Sequence, residues 1–383
     1  MSRKGENIYK RKDGRWEGRY IKTRSGNGKA IYGYVYAKTY REVKQKLVLI
    51  KSSLKESSPI QAVEKSACTN EIDFCQLADE WLATMQPLIK ESTYVKYYNL
   101  VHSYLHSEFN GLSLSDISVD CLNAHCNNLL LSGGTNNQGL ASKTVTDILS
   151  VIRNVLKYAG SKGMLPHCSG KEITIKHITK PLCVLNRAEQ DMLCRYLKEK
   201  ISIRNMAILL CLFTGMRVGE VCALKWADIS FSEHTIYVHQ TMQRIQVTGN
   251  SKSKTTVIIT TPKSLCSIRT IPIPKNIENV LQSNFSNRNG YFLTGSEDDY
   301  VEPRSMQNHF KRVLKDVSLR PINFHSLRHT FATRCIEVGF DIKSLSKILG
   351  HANVNITMNR YVHPSMDFKR ENMERLSGLF SVK

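Results

Sequence analysis

His325-Ser326-Leu327-Arg328-His329-Thr330, with Tyr361 downstream of it, is the stretch from which the rest of the chain is read. A helix over residues 326–335 sets His325 and Arg328 three apart, on one face. Leu327, Phe331 and Cys335 then recur at i, i+4 and i+8 and point into a core. An imidazole and a guanidinium fixed side by side can act twice on one phosphate, moving a proton and neutralising charge. Alone, the same pair is what an ordinary surface helix start carries. Its meaning depends on the residues that accompany it.

The composition narrows the partners. Lysine plus arginine minus aspartate plus glutamate gives 54 − 33 = +21, an excess that calls for a polyanion, either nucleic acid or an acidic membrane face. No run approaches the roughly 18 apolar residues of a membrane span. The basic start Met1-Ser2-Arg3-Lys4-Gly5 lacks an apolar export region. Eleven cysteines, scattered without Cys-x-x-Cys pairs, fit neither a disulfide framework nor zinc. Cys121 and Cys126 around His125 come nearest to metal spacing. The expectation is a reduced, cytoplasmic protein without metal or cofactor.

At 383 residues the chain has room for two or three domains. Residues 1–53 read as a small β-sheet with one helix. Asp13-Gly14 is a hairpin turn between residues 7–10 and 16–20. Residues 30–36 alternate as a third strand, and Thr39 with Glu42 makes a capping box for a helix carrying Val43, Leu47 and Ile50. Basic residues interleaved with Trp16, Tyr20 and Tyr34 suit either a solvated edge or a groove of DNA. Residues 54–70 read as a linker. Residues 71–165 have helical periodicity: Phe74, Leu77, Trp81, Leu82 and Met85 form one stripe. Tyr94, Tyr97, Val101 and Tyr104, after a Ser92 cap, form a second, and residues 144–158 a third. Residues 182–383 form the largest domain, mainly helical with a small antiparallel sheet framed by residues 235–247, 255–261 and 269–273. The fold class is multidomain: a β-sheet-plus-helix module, an all-α domain, and an α+β domain.

Several pieces of the last domain can be set around one phosphate. Arg217 follows a glycine at a helix start, where backbone N–H groups favour an anion. In isolation it would be a surface arginine paired with Glu220. Lys263 sits on a turn between strands, where an ammonium could reach a leaving oxygen, although a turn lysine is ordinarily just solvated. His325 and Arg328 supply the pair above. His351 and Tyr361 would, alone, be a polar contact and half-buried packing.

Taken together, Thr214-Gly215-Met216-Arg217-Val218-Gly219-Glu220, Thr261-Pro262-Lys263-Ser264 with Ser267 and Arg269, His325-Ser326-Leu327-Arg328-His329, and Leu349-Gly350-His351 followed by Tyr361 resemble the tyrosine recombinase (phage-type integrase) family. The resemblance is specific across about residues 182–365. The helical domain is similar to that family's core-binding domain, and the N-terminal module to the arm-binding domain of lambda-type phage and conjugative-transposon integrases.

The resemblance implies that Tyr361 attacks the scissile phosphate to form a 3′-phosphotyrosyl link and release a 5′-hydroxyl. Arg217 and Arg328 would hold the non-bridging oxygens. Guanidinium suits that task better than lysine, and losing one such preorganised donor costs on the order of 3–4 kcal/mol at the transition state. Lys263 would protonate the departing oxygen, His325 would help deprotonate Tyr361, His351 would donate to the phosphate, and Glu220 would orient. No metal is required, since the cations supply its charge. Implied partners are double-stranded DNA attachment sites, a homotetramer on DNA, and an accessory DNA-bending or excision factor.

A tail stripe of Met373, Leu376 and Phe380 would dock on a neighbouring protomer or on its own core. The function expected is a recombinase that integrates and excises a mobile element. The competing readings are a chromosome-dimer resolvase or topoisomerase with the same chemistry, and a non-catalytic DNA-binding regulator.

Overall fold

The computed structural model describes residues 7–11, 13–24, 30–56, 72–134, 136–176, 182–248, 254–262, 264–285, 289–361, 370 and 373–374. Two compact units divide the chain, residues 1–71 and residues 72–383.

In the first unit β1 (Ile8–Lys10), β2 (Trp16–Arg24) and β3 (Ala30–Ala37) form an antiparallel sheet in sequence order, and α1 (Tyr40–Glu56) packs on it. The helix starts where the capping box places it, Thr39 Oγ1 accepting from the Glu42 N–H at 3.3 Å. It runs three residues into the stretch expected to be linker. Val43 and Leu47 close a small core over Ile8, with Trp16, Tyr20 and Val35 around it. Tyr9, Tyr32, Tyr34 and Tyr36 stay exposed. The Arg19 guanidinium lies 3.5 Å from the Tyr32 ring centroid, so the cation is braced on an aromatic face.

The second unit begins with helices: α2 (Phe74–Met85), α3 (Glu91–Leu100), a π-helical turn over Val101–Leu105, α4 (His106–Phe109), α5 (Val119–Ser132) and α6 (Ser142–Ser161). The apolar stripes meet in one core that runs from Phe74 to Ile175. Asp73 caps α2, its Oδ1 accepting from the N–H groups of Cys75 and Gln76. The expected Ser92 cap is not used. Lys90 is the cap residue of α3 and makes no side-chain cap hydrogen bond. On α5, His125 is buried against the edge of the Phe109 ring and Cys121 and Cys126 are free. That trio is packing.

A second core collects Leu185 to Leu327. Around it run α7 (Arg187–Glu199), α8 (Ile203–Thr214), α9 (Val218–Ala223), β4 (Ile229–Ser230), β5 (Thr235–Val238), β6 (Thr241–Gln246), β7 (Thr255–Thr260), β8 (Arg269–Pro272), α10 (Lys275–Phe285), α11 (Pro303–Asp316), α12 (His325–Glu337), α13 (Ile342–Leu349) and α14 (Val354–Tyr361). The expected single sheet is two. β4-β5-β8 forms one and the β6–β7 ribbon another, because the chain leaves the first sheet at His239-Gln240. Almost all of α8 is buried, with α7, α10, α11 and α12 against it. It is therefore apolar on every side and shows no amphipathic pattern. Beyond Tyr361 the described residues are only 370 and 373–374, so the tail stripe lies outside them.

Two helices of this unit end the same way. Gly215 caps α8 and Gly350 caps α13, both left-handed at φ 68°. A Cβ on Gly215 would come within 2.6 Å of Phe331 Cδ1 and 2.9 Å of Leu349 Cδ2. Gly215→Ala is expected to destabilise by at least ~1–2 kcal/mol from the backbone alone, more with the clash. Gly160→Ala, where a Cβ on α6 meets nothing within 4 Å, is expected to stabilise by roughly 0.5–1 kcal/mol. Urea midpoints of the two variants check both signs.

Candidate active site

The two glycine caps set where the functional residues begin. After Gly215 the chain turns through Met216 to Arg217, which stands at the N-cap of α9, and after Gly350 comes His351. Arg328, on the second turn of α12, ties these two turns together. Its Nη1 donates to the Gly215 carbonyl at 2.8 Å and its Nη2 to the Leu349 carbonyl at 2.6 Å. These are C-terminal carbonyls of α8 and α13, the end of a helix where a cation is favoured. Arg328 is 2% exposed, and burial, then the neighbouring Arg217, push its pKa down to about 9. It remains a cation at neutral pH. The carbonyls use two of its five N–H donors.

Arg217 is the more open of the pair. Its Nη1 donates to Glu220 Oε1 at 2.6 Å and its backbone N–H to Glu220 Oε2 at 2.9 Å. Glu220 also receives Arg269, Nη1 at 3.1 Å and Nη2 at 2.9 Å. Burial by itself would raise the Glu220 carboxyl. Arg269 first and Arg217 second outweigh it and hold the group at about 2. One buried carboxylate thus fixes two arginines, and Arg269 donates onward to the carbonyls of Ile348 and Ser267. Arg269 anchors β8 to the end of α13.

Tyr361 is the last residue of α14 and is 6% exposed. Its hydroxyl is 2.8 Å from His329 Nδ1, a hydrogen bond whose donor depends on the imidazole tautomer. Burial raises its pKa, opposed by Arg328, Arg360 and Arg217 and by a hydrogen bond with Arg328. The phenol therefore lies within reach of a buried guanidinium. The His351 ring stacks near Tyr361, 6.5 Å between centroids at 3°, and its Nδ1 is 2.8 Å from Thr357 Oγ1. His325 packs edge-on to His329 at 4.6 Å and has no hydrogen bond to the hydroxyl among the described contacts. His329 and His351 are both pushed down to about 4, by burial first and then by the surrounding arginines. His325, the most exposed of the three, is lowered by desolvation, His329 and Arg328. All three imidazoles are neutral at neutral pH.

The structure thus brings Arg217, Arg328, His351 and Tyr361 together, with His325 one ring further out. Lys263 lies outside the described residues. The strand ends that flank it are Thr261-Pro262 and Ser264. Two participants stand in the motifs quoted above without a role assigned to them. His329 lies four residues after His325 on the same helix face. Arg269 has partners that local spacing does not show, because Glu220 and Ile348 are 49 and 79 residues away. Beside Arg217 and His325 a groove of about 660 Å³ runs past Arg244, Arg304 and Lys311. For a metal, Asp79, His102 and His106 are the one group of three candidate ligands within 4.8 Å of one another among the described residues. They are accounted for as a His–Asp contact on the helical half, His106 Nε2 to Asp79 Oδ1 at 3.2 Å. No described helix is long and apolar enough to cross a membrane.

Comparison with known proteins gives a family domain and a fold. Residues 184–367 match the model of the phage integrase family. The chain is 27% identical to a XerC-like tyrosine recombinase of Caldanaerobacter subterraneus, over 93% of this chain and 94% of that protein. It is 26% identical to the ICEBs1 integrase of Bacillus subtilis, over 63% and 67%. In fold it resembles the Tn1549 transposon integrase in complex with transposon right end DNA, with TM-score 0.67, 21% identity, and 80% of this chain and 100% of that one covered. A lambda integrase tetramer bound to a Holliday junction superposes with TM-score 0.56, at 18% identity over 91% and 96%. Residues 184–367, a little under half of the chain, thus carry a domain of the phage integrase family, the tyrosine-type site-specific DNA recombinases.

Proposed function

We propose that this recombinase integrates and excises a mobile element, cutting and rejoining DNA through a 3′-phosphotyrosyl intermediate on Tyr361. The observation that carries the reading is the Tyr361 hydroxyl, hydrogen-bonded to His329 and within the field of Arg328 and Arg217. The phenol attacks phosphorus, and the P–O bond to the 5′-oxygen breaks. That oxygen leaves with a proton from Lys263. The reverse reaction with a different 5′-hydroxyl rejoins the strand, so bond energy is conserved in the phosphotyrosine.

Arg217 and the unused donors of Arg328 take the non-bridging oxygens, where charge develops in a site largely closed to water. His351 donates a further hydrogen bond. The phenol's proton passes to the imidazole pair His329 and His325, of which His329 is the group already in contact. Two arginines, a lysine and imidazoles supply the positive charge of the site.

The basic groove beside Arg217 and the net charge of +21 suit a duplex. Double-stranded attachment sites, a homotetramer on DNA and an accessory bending factor belong to this proposal. Integrase relatives favour it over a chromosome-dimer resolvase, and so does the N-terminal sheet with its aromatic-braced arginine.

Tyr361→Phe is expected to bind a nicked duplex carrying the element end with unchanged affinity and to form no covalent adduct on a denaturing gel. An adduct in that variant assigns the nucleophile elsewhere. Neutralising roughly 6–10 phosphates should lower affinity ~10³–10⁵-fold between ~50 and ~200 mM salt, read by titration at fixed pH.

The pH dependence has a definite sign. Between about 4, for folded His329 and His351, and the ordinary imidazole value near ~6.5, the unfolded chain binds protons that the folded chain does not. Stability of the DNA-free enzyme is therefore full above about 6.5 and declines as pH falls toward 4. A phosphate in the site reverses the balance by favouring imidazolium. DNA binding at pH 6 should then take up protons, measurable by calorimetry in two buffers of different ionisation enthalpy.

A further inference from the structure

Lys90 breaks a local rule. It occupies the N-cap of α3, a position that favours Ser, Thr, Asp or Asn, and places an ammonium at the positive end of a helix dipole. Its side chain makes no capping bond. Instead Nζ reaches out of the helical half of the unit and donates to two consecutive carbonyls of the catalytic half, Thr261 at 3.0 Å and Pro262 at 2.9 Å, some 171 residues away. α3 also packs against β6, the partner strand of β7 in the ribbon that ends at Thr260. A departure from local preference that is satisfied only by a distant partner is what a functional contact leaves behind.

The two carbonyls lie immediately before Lys263 in the chain. On the other side of Lys263 the backbone is held by the catalytic core itself. Ser264 and Ser267 hydroxyls are 3.0 Å apart, Ser267 Oγ donates to the Gly350 carbonyl at 3.4 Å, and Arg269 holds the Ser267 carbonyl. The described residues after Lys263 are thus anchored next to His351, and Thr261 and Pro262 before it are held by Lys90 alone among the side-chain hydrogen bonds described.

We propose that Lys90 is a positioning residue for strand cleavage. Its hydrogen bonds to Thr261 and Pro262 make presentation of the leaving-group acid depend on the seating of the helical half against the catalytic half. The proposal rests on the reading of Lys263 as that acid. An enzyme whose two halves have not closed correctly on a duplex would hold its nucleophile and arginines in place while lacking the proton donor, so mis-seated DNA would not be cut. Lys90 touches no reacting atom. Two of its three N–H donors hold the adjacent carbonyls of Thr261 and Pro262 through charge-assisted hydrogen bonds.

The test separates this from a general loss of binding or folding. Lys90→Ala, Lys90→Arg and Lys263→Ala full-length proteins are assayed on a nicked duplex carrying the element end. One substrate has an ordinary phosphodiester at the scissile position. The other has sulfur in place of the 5′-bridging oxygen, a leaving group that departs as a thiolate without needing a proton. Lys90→Ala is expected to cleave the ordinary substrate on the order of 10–100-fold more slowly, a part of the 10²–10⁴-fold worth of a general acid. It should cleave the sulfur substrate at the wild-type rate, with DNA affinity and salt slope unchanged, and Lys90→Arg should recover part of the loss.

Wild-type cleavage of the ordinary substrate by Lys90→Ala overturns the proposal. An equal defect on both substrates, or a salt slope reduced by about one, makes Lys90 a DNA or closure contact and overturns it too. If Lys263→Ala is not rescued by sulfur, the assignment of Lys263 falls, and this proposal with it. Rescue of Lys263→Ala without rescue of Lys90→Ala removes the Lys90 proposal alone.

Discussion

Arg328 holding the carbonyls of Gly215 and Leu349 is the contact on which the site depends. A guanidinium buried to 2% exposure is tolerated only where its charge and its donors are met. Here the C-terminal ends of two helices meet them. The arrangement makes one residue structural and chemical together. The face of Arg328 that is satisfied sets the relative position of α8 and α13, and so of Arg217 and His351. Beyond those two carbonyls, Arg328 lies within hydrogen-bonding reach of the Tyr361 phenol. The two left-handed glycines make this geometry possible, because a Cβ at Gly215 would strike Phe331 and one at Gly350 would press on Arg269 and Ser267.

Around that contact positive charge outnumbers negative: Arg217 and Arg269 share one buried carboxylate, Glu220, and Arg328 lies in its field without a bond to it. Burial first, and then the surrounding arginines, keep the imidazoles neutral, and burial keeps the Tyr361 phenol protonated. A scissile phosphate supplies the missing anion. Its entry would favour each positive group at once and create the conditions under which the phenol can lose its proton. On the proposed function, proton loss from the phenol would then follow substrate occupancy through Coulomb's law.

The legible parts of the fold were those with local signatures. The Asp13-Gly14 hairpin, the Thr39–Glu42 capping box and the stripe of α2 each need only a few neighbouring residues, and each stands where those residues place it. What was missed had non-local causes. Ser92 is a better capping residue than Lys90 in isolation, yet the cap falls on Lys90, whose side chain finds its partner just past β7 instead. Residues 235–247 read as one strand, but Val238 pairs with Arg269 while Thr241 pairs with Thr260. Alternation cannot tell which neighbour a strand will find. Among site residues, Arg217, His325, Arg328, His351 and Tyr361 were legible because their motifs are short. His329 was visible in the same motif and was passed over.

The sequence by itself determined the chemical inventory: a basic chain, two arginines in glycine- and histidine-marked motifs, a tyrosine after His351, and enough periodic apolar surface for a helical half and a mixed half. Local propensity and patterning suffice for that, since caps, turns and stripes act over a few residues. Only the tertiary structure decided which imidazole meets the Tyr361 hydroxyl, that Glu220 is shared between Arg217 and Arg269, and that a lysine of the helical half reaches the strand end before Lys263. Apart from the local Arg217–Glu220 contact, these pairings join residues 32 to 172 positions apart. They exist because burial forces each polar group to find a partner wherever the packed chain happens to bring one.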